Sequence, residues 1–531
     1  MHDDPDSKTT VVFKNDARQG LLAGMTTVAE AVGCTLGPRG KTVIIQQPGR
    51  APMVTKDGVT VSKSINLPDP IECLGGELIK QAAERTNEIA GDGTTTATVL
   101  THSMVSESNR LINNGNNVNE MCRGIESAVK QVVTLMKQNA RMINTTAEVE
   151  QVATISANGD TLIGQIVAEA MEKVGRDGII TVEDAKGMNT SLEIVEGMQF
   201  ERGYLSPYFT TSNERMHASY DNTRVLITDK KLSDIKSLVP ILEQIIHNKT
   251  SLLIIADDIE GEALQMLVLN RIKSNISVVA VKAPGYGTHR DELLGDLCAL
   301  TGAKLASGKT GLALEKMSLA DLGTVKKAVV DAKSTTLVAD GRTAASIKTR
   351  VEELRTQVTD VTLTADDITK LQHRIARLAS GVAVIRVGGS TELEMVERKH
   401  RIEDALHATR AAAEEGIVPG GGMALLKAAA LMLPPTHGDE KSGYDIVFKA
   451  CQAPLRRIVT NAGGMPDVVI NAAMQSPENH GYDAVTTEFH DMFEAGIVDP
   501  VKVTRVALQH AASVAITFLT LDAVIHKKEK D

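Results

Sequence analysis

Two helix-patterned ends enclose a middle segment of a different character, and this order constrains the fold more than any other feature of the chain. Apolar residues recur at helical spacing over residues 16–34, 75–90, 94–111, 402–416 and 423–433. From about residue 195 to about residue 382, β-branched runs alternate with helical stretches. Glycine-rich and acidic loops occur only in the two ends. The sequence therefore predicts an α/β segment inserted between helix-rich ends, and the ends form one domain if their loops serve one site.

The length and composition predict a multidomain globular protein. At 531 residues the chain is too long for one core, and the usual domain size suggests three or four domains. Hydrophobic residues make up 42% of the chain and charged residues 23%, so stable cores can form without disulfide staples. Aromatic residues are only 2% and the net charge is −10, which disfavours both stacking on bases and wrapping of a phosphate backbone. We expect no nucleic-acid partner.

The cysteines and the N-terminus indicate a reducing compartment. The cysteines form no CxxC pair and have no histidine at ligand spacing, so we predict that they are reduced and bind no metal; they are Cys34, Cys73, Cys122, Cys298 and Cys451. Residues 1–10 are acidic and polar, unlike a signal peptide, and no later stretch has the length of a membrane span. We therefore expect a cytoplasmic protein without a membrane partner.

The segment Thr35–Thr42 reads TLGPRGKT and nearly matches a phosphate-binding P-loop, with Thr35 in place of the first glycine. A P-loop follows a strand and precedes a helix, so that the helix dipole points at the phosphate. Here the pattern predicts a helix before the loop and a strand over residues 41–46 after it. The spacing alone therefore favours an ordinary Gly/Pro turn over a nucleotide site.

The loop Gly91–Gly93, with the threonines Thr94–Thr96 after it, is a stronger candidate for anion binding. Its glycines let the backbone approach an anion, its N–H groups and hydroxyls can face one, and Asp92 can hold Mg²⁺. The alternative is an ordinary N-cap, because Asp or Thr before a helix is common. Consecutive β-branched threonines are nevertheless poor helix formers. These residues leave both interpretations open.

Three other features are compatible with nucleotide and metal binding, but each also has an ordinary structural explanation. Gly420–Gly422 precedes a predicted helix and is either a close approach to a nucleobase or ribose or a flexible link. Asp57 and Asp404 are acids that can orient water or bind metal in phosphoryl transfer. Most isolated acids, however, are solvated surface groups.

Two apolar stripes occur in the middle segment. One consists of Leu238, Val239, Ile241, Leu242 and Ile245, and the other of Leu264, Leu267, Val268 and Leu269. Such stripes usually pack into a core. They also suit a surface that holds unfolded chains or a partner loop, because apolar contact is not directional. Periodicity leaves both interpretations open.

A series of motifs, taken in order, resembles the group I chaperonins, the bacterial GroEL family. The motifs are TLGPRG, TKDG, AGDGTTTATVL, TISAN, EGMQFERGYLSPYF, LLIIADDIEGEAL, VKAPGYG, EDALHATRAAAEEGIVPGGG and DPVKVTR. The resemblance covers the chain from about residue 11 to about residue 523. It implies the chaperonin fold, a multidomain α+β and α/β architecture. A helical equatorial ATPase domain would comprise residues 1–138 and 415–531, a small intermediate hinge domain residues 139–195 and 383–414, and an α/β apical polypeptide-binding domain residues 196–382.

The resemblance also implies an ATPase that uses ATP, Mg²⁺ and K⁺. The nucleotide would be held by Thr35, Leu36, Gly37, Pro38, Asp92, Gly93, Thr94, Thr95, Thr96, Gly420, Gly421, Asp483, Ala484 and Asp499. Asp92 would bind Mg²⁺, and Lys56 with Thr95 lies where the family binds K⁺. Asp404 matches the acid that positions the attacking water when the intermediate domain closes, with Asp57 assisting.

Unfolded polypeptides are the partners that the resemblance implies, bound in a cavity enclosed by seven-membered rings, single or double. The implied polypeptide-binding positions are Tyr204, Tyr208, Phe209, Val239, Leu242, Leu264, Val268 and Leu269. The same positions receive the co-chaperonin loop in the family, and the sequence leaves the need for a co-chaperonin open. ATP would tilt these surfaces away, because nucleotide binds the two states with different affinity.

The sequence departs from the family pattern at several positions, which suggests a divergent member such as a second or virus-encoded copy. Asn113–Asn117 and Met465 lie where the family makes ring-to-ring contacts, so a double ring is not assumed. Ser380 stands where the hinge often has glycine, and Asp483 where some members have Asn. The chain ends in the charged run Lys527–Asp531 in place of a Gly-Gly-Met repeat.

The rival hypothesis is a chaperonin-like holding ring that binds polypeptides without productive ATP cycling. The joint presence of Asp57, Asp92 and Asp404 opposes it. A conventional α/β enzyme ranks behind both, because the middle segment offers no combination of nucleophile, base and orienting residue.

Overall fold

A computed structural model describes residues 9–46, 52–157, 159–175, 178–185, 187–195, 197–211, 216–273, 276–358, 365–379 and 381–527. These residues form two compact units. The first contains the described parts of Met1–Glu169, Asp184–Asn189 and Val387–Asp531, and the second those of Ala170–Glu183 and Thr190–Arg386. Both ends of the chain therefore belong to one unit. The three-domain division stays a prediction, and Ser380 and residues 528–531 lie outside the described residues.

Helices occur in both units and account for most of the first. In chain order they are α1 (Lys14–Gly33), α2 (Gly58–Lys63), α3 (Pro70–Ala90), α4 (Thr94–Asn113), α5 (Val118–Gln138), α6 (Thr146–Ser156), α7 (Thr161–Val174), α8 (Val239–His247), α9 (Gly261–Lys273), α10 (Gly287–Thr301), α11 (Ala344–Val358), α12 (Ala365–Ala379), α13 (Glu392–Glu415), α14 (Met423–Ala430), α15 (Glu440–Asn461), α16 (Pro466–Gln475) and α17 (Val501–Leu519). None of these described helices is long and apolar enough to cross a membrane.

The strands have at most 5 residues in the first unit and up to 10 in the second. They are β1 (Thr9–Phe13), β2 (Val43–Ile45), β3 (Met53–Thr55), β4 (Ile179–Asp184), β5 (Ser191–Val195), β6 (Gly197–Phe200), β7 (Ala218–Ile227), β8 (Lys231–Leu232), β9 (Leu252–Ala256), β10 (Asp258–Ile259), β11 (Val278–Lys282), β12 (Gly323–Val330), β13 (Thr335–Val338), β14 (Val382–Val387), β15 (Ile417–Pro419), β16 (His480–Asp483), β17 (Glu488–Asp491), β18 (Val498–Pro500) and β19 (Ala523–Lys527).

Local signals explain where the site-bearing helices begin. Asp69 caps α3, because its carboxylate accepts hydrogen bonds from the N–H groups of Ile71 and Glu72, and Pro70 occupies the first helical position. A capping box of Thr145 and Glu148 starts α6. These caps fix the ends of two helices that lead to the candidate site.

Small residues let α1 and α3 pack closely. A Cβ atom on Gly24 would lie 1.8 Å from the carbonyl oxygen of Glu72, and one on Gly75 would lie 2.0 Å from that of Leu21. Larger side chains at either glycine would force the two helices apart. The surrounding core contains fully buried Met25 and Met104, whose flexible side chains fill space in a chain that has few aromatic residues.

Small antiparallel sheets join distant parts of the first unit. Strands β1 and β19 connect the two ends of the chain, with Thr9 opposite Lys527 and Phe13 opposite Ala523. Strands β2 and β3 form a second pair, β16 and β17 a third. Strands β15 and β18 pair so that Val418 lies opposite Asp499. This last pair places Asp499 beside the glycine-rich loop.

The second unit is built on a mixed sheet with the strand order β11-β9-β7-β12-β13-β6. Strands β11, β9 and β7 are parallel and the remaining neighbours are antiparallel. Each residue of β9 is buried, as expected for a parallel strand covered on both faces. A smaller sheet has the order β4-β14-β5. The predicted α/β character of the middle segment is therefore confirmed.

A buried ion network connects three helices of the second unit. Asp296 of α10 is fully buried and accepts hydrogen bonds from Arg374 of α12 and from Arg350 of α11. Arg374 is 3% exposed and also pairs with Glu292. The network satisfies a carboxylate that would otherwise be costly to bury.

Candidate functional site

The loop between α3 and α4 has the geometry of an anion-binding helix N-terminus. Gly91 ends α3 with a left-handed φ of 71°, and Gly93, with a φ of 83°, is the N-cap of α4 without a side-chain cap hydrogen bond. The N-cap alternative for Asp92 or a threonine is therefore wrong. The first N–H groups of α4 have no intrahelical acceptor, and Thr94–Thr96 lie in its first turn, so both are available to an anion.

Carboxylates from separate segments of the first unit converge beside this loop. Asp92 lies in the loop itself, Asp57 precedes α2, Asp404 lies in α13 and Asp499 in β18. Burial raises the pKa of Asp92, and the charge of Asp57 adds to this effect, while the N–H of Gly93 and the hydroxyl of Ser156 oppose it. Like charges are thus held together at a helix N-terminus, which favours a site for a cation together with an anion.

Asp404 is a strongly perturbed acid of this group. Burial raises its pKa well above the ordinary value, and the charges of Asp92 and Asp57 raise it further. Because the charges of Asp92 and Asp57 act on Asp404, the carboxyl group of Asp404 lies close to both acids and to the loop. A perturbed carboxyl group among other acids is typical of a functional site.

Asp499 is held by the glycine-rich loop. The N–H groups of Gly422 and Gly421 donate to its carboxylate, but burial and the charge of Asp92 raise its pKa to about 7. Gly421 and Gly422 have φ values of 64° and 81°, a conformation that favours glycine. Gly420 is buried, and a Cβ there would lie 3.0 Å from the carbonyl oxygen of Ile497. The flexible-link alternative does not fit this tightly packed segment.

Asp57 has a structural task as well as a place near the other acids. Its carboxylate caps α2 by accepting hydrogen bonds from the N–H groups of Val59 and Thr60, at 3.1 and 3.0 Å. The hydroxyl of Thr60 donates to it too. Asp57 is therefore not a freely solvated surface acid.

The segment Thr35–Pro38 follows a helix and precedes β2, so the rejection of a P-loop is confirmed. The hydroxyl of Thr35 donates to the carbonyl of Val32 at 2.8 Å. The side-chain amide of Asn461 donates to the carbonyl oxygens of Gly33 and Leu36, at 3.0 and 2.9 Å. The turn is thus fixed to the end of α15, which gives it a rigid form.

A second link joins this turn to the segment that contains Asp483 and Ala484. Arg39 donates to the carbonyl of Val485 at 2.8 Å. The carboxylate of Asp483 accepts from the N–H of Val485 and the hydroxyl of Thr486 within its own turn. Ala484 is buried. The side chain of Arg39 therefore holds this segment near the turn, and the role of Asp483 and Ala484 at a nucleobase stays a prediction.

Two residues near the candidate site were not singled out from the sequence. The hydroxyl of Ser156, at the end of α6, donates to Asp92 at 3.5 Å, and Asn461 holds the Thr35–Pro38 turn. Ser156 lies within the TISAN motif, which was the available signal. Nothing in the sequence pattern distinguishes Asn461 from other polar residues near a helix end.

The donor set fits Mg²⁺ held jointly with phosphate oxygens. No group of three or more acidic, histidine or cysteine ligands forms a metal cage among the described residues. Magnesium, however, commonly takes one or two carboxylates together with substrate phosphates and water. Asp92 suits this mode, because the charge of the neighbouring Asp57 disfavours its ionised form and a bound cation would offset that repulsion. For K⁺, Thr95 lies against Gly58, but Lys56 is exposed, and this site stays a prediction.

The predicted polypeptide-binding residues in the second unit differ in exposure. Tyr208, Leu269 and Val239 are 67%, 41% and 39% exposed, whereas Leu242 is 6% exposed and Phe209 is fully buried. The partly buried members are Tyr204, Leu264 and Val268. The stripes therefore serve the core and the surface together: some members support the sheet, and others face solvent.

The helical unit with its acid-lined helix N-terminus and the separate α/β unit define a chaperonin. The model of the TCP-1/cpn60 chaperonin family matches residues 28–529, and the chain belongs to this family. The resemblance seen in the motifs is thereby confirmed.

Solved structures give the same fold over nearly the whole chain. The chain is similar to the chaperonin gp146 from the bacteriophage EL 2 (Pseudomonas aeruginosa) in presence of ATP-BeFx, crystal form II, with a TM-score of 0.66 and 22% identity. Crystal form I of the same protein gives a TM-score of 0.61 and 22% identity. In each case the match covers 98% of this chain and 99% of that chain. The predicted chaperonin fold is therefore confirmed.

Proposed function

We propose that this protein is an ATP-dependent chaperonin that binds non-native polypeptides and promotes their folding in a ring cavity. The observation that carries the proposal is the convergence of Asp57, Asp92, Asp404 and Asp499 at the glycine-flanked N-terminus of α4. Positioning and charge neutralisation dominate phosphoryl transfer, and this arrangement suits both. The similar phage chaperonin was crystallised in presence of ATP-BeFx, which supports nucleotide binding in this fold.

Each residue would have a distinct task in ATP hydrolysis. The N–H groups and hydroxyls at Gly93–Thr96 would donate to the phosphates, and Asp404 would orient the attacking water with help from Asp57. Mg²⁺ held by Asp92 would neutralise phosphate charge. The turn Thr35–Pro38 and the loop Gly420–Gly421 would hold the rest of the nucleotide. K⁺ near Lys56 and Thr95 would complete the set.

Client binding would use the exposed apolar side chains of the second unit. Tyr208, Val239 and Leu269 are exposed and suit varied clients, because apolar contact does not require a fixed sequence. The buried Phe209 and Leu242 would support this surface from below.

Open sheet edges in the first unit support self-association into rings. The pairs β1–β19 and β2–β3 are two-stranded, and such sheets are marginal in water. They also carry exposed apolar residues, with Phe13, Ile525 and Ile44 at 59%, 65% and 71%. Another copy of the chain would satisfy these edges by strand pairing. Seven-membered rings, the number of rings and the use of a co-chaperonin stay predictions, as does a cytoplasmic location.

The test measures ATP turnover with Mg²⁺ and K⁺ beside refolding of an aggregation-prone client, with and without a co-chaperonin. Replacing Asp404 by Asn removes the acid that orients water, and we expect turnover to fall about 100-fold or more while binding of an ATP analogue persists. The matched control is Glu88→Gln, an exposed acid on α3. Unchanged turnover of Asp404→Asn would refute its assigned role. Client binding by a wild-type protein that does not hydrolyse ATP would instead support the holding-ring alternative.

A further inference from the structure

His407, one helical turn beyond Asp404, lies directly against the backbone of the loop Gly91–Gly93. A Cβ atom on Gly91 would be 2.4 Å from Cγ of His407 and 2.5 Å from its Cβ. Gly91 immediately precedes Asp92. His407 retains solvent exposure, so this contact is not simply the packing of a core residue. Helix α13 thus contacts the loop at a residue adjacent to the acid that would hold Mg²⁺.

The C-terminal part of α13 is anchored independently of this contact. Glu414 pairs with Lys502 at 2.6 Å, and Glu415 pairs with Arg505. Ala411 is buried in a small apolar cluster with Ala90, Val503 and Val506. These contacts hold the last turns of α13 against α3 and α17. From there the helix runs back through His407 to Asp404.

We infer that His407 is a positioning residue. Its contact with Gly91 determines how closely α13 approaches the Gly91–Gly93 loop, and therefore how close Asp404 lies to Asp92. The inference rests on the proposed function and adds a second residue of α13 to it. The absence of a Cβ at Gly91 is what allows the close approach, in addition to the left-handed φ of 71° at this position. His407 acts through the backbone and does not itself take part in the reaction. A displacement of about 1 Å at such a site is enough to lower turnover about 100-fold.

The test is a double-mutant cycle that enlarges the residue at position 91 and removes the side chain at position 407. Gly91→Ala adds a Cβ that overlaps His407, and we expect kcat to fall about 100-fold with a smaller change in the affinity for an ATP analogue. Because the new methyl group would meet even the Cβ of His407, the compensating change is His407→Gly. The double variant should recover turnover by about tenfold or more over Gly91→Ala. The backbone strain of alanine at position 91 is common to both proteins and cancels in the comparison.

A second histidine on α13 provides the matched control. His400→Gly places the same substitution two turns earlier on the same helix, and it should not rescue Gly91→Ala. If His407→Gly and His400→Gly both rescue Gly91→Ala, greater flexibility of the helix, and not relief of the overlap, restores turnover. That result would overturn the inference. So would a double variant no more active than Gly91→Ala. Far-UV circular dichroism and sedimentation establish that each variant folds and assembles.

The wild-type protein separates this inference from the proposed function. If wild-type turnover is absent, the proposed function fails and the positioning role fails with it. If wild-type turnover is present and the cycle shows no coupling, the positioning role alone fails. Coupling in kcat without coupling in analogue affinity is the result expected, because a purely structural contact would alter both together.

Discussion

The pH dependence of stability offers a direct test of the electrostatics at the candidate site. Asp499 has a pKa of about 7 in the folded protein, against an ordinary value of 3.8, because of burial and then the charge of Asp92. The folded protein therefore retains a proton that the unfolded chain has already lost. Replacing Asp499 by Asn keeps the size and removes the titration.

The sign and size of the effect follow from linkage. Between about pH 4 and about pH 7 the folded state binds more protons than the unfolded state, so stability falls as the pH rises. The contribution is fully present below the unfolded pKa and is lost as the pH passes through the folded value. A difference of about three pKa units corresponds to on the order of 4 kcal/mol for a fully shielded group. The half-buried side chain of Asp499 should give less.

The assay is calorimetric unfolding without nucleotide or Mg²⁺ at several pH values from about 5 to about 8. We expect the slope of transition temperature against pH to be more negative for the wild type than for Asp499→Asn. The control Asp467→Asn should keep the wild-type slope, since Arg456 holds the pKa of the exposed Asp467 below its usual range. Equal slopes for wild type and Asp499→Asn would refute the reasoning.

Two further predictions concern packing and assembly. Arg374→Met removes a buried partner of Asp296 and should destabilise the second unit by about 3–5 kcal/mol in urea unfolding. The control Arg377→Met replaces an exposed arginine of the same helix and should change the free energy of unfolding little. Equal destabilisation by the two variants would contradict the argument for a buried ion network. Ile44→Lys places a charge at an open strand and should shift the protein to smaller species in sedimentation velocity. A comparable shift with Leu162→Lys, which is similarly exposed, would show that surface charge alone is responsible.

The sequence predicted the elements better than it predicted their ends. The helix predicted over residues 16–34 is observed as Lys14–Gly33, and the one over 94–111 as Thr94–Asn113, because apolar residues recur at helical spacing through both segments. The helix predicted from residue 402 begins at Glu392, ten residues earlier. Its first turns are rich in charged residues, so they carry little apolar periodicity from which to locate the start.

The candidate site was predictable where a local pattern has its own chemistry. Gly91–Gly93 before a threonine run is such a pattern, and its left-handed glycines agree with it. The contributions of Ser156, Asn461 and His407 depend on contacts between segments far apart in the sequence, such as Asn461 with Gly33. Periodicity carries no information about those contacts, which only the folded first unit provides.

The energetics of the site argue that it is kept for function and not for stability. Asp92, Asp404 and Asp499 all have raised pKa values, so each is harder to ionise in the folded protein than in water. Neutral side chains of similar size would avoid this cost, which arises because burial and like charges act in the same direction. The acids also reach the site from both sides of the α/β insertion, so their proximity depends on contacts between segments far apart in the sequence. A fold that brings mutually repelling acids together across such distances gains stability only when a cation and its anion bind there.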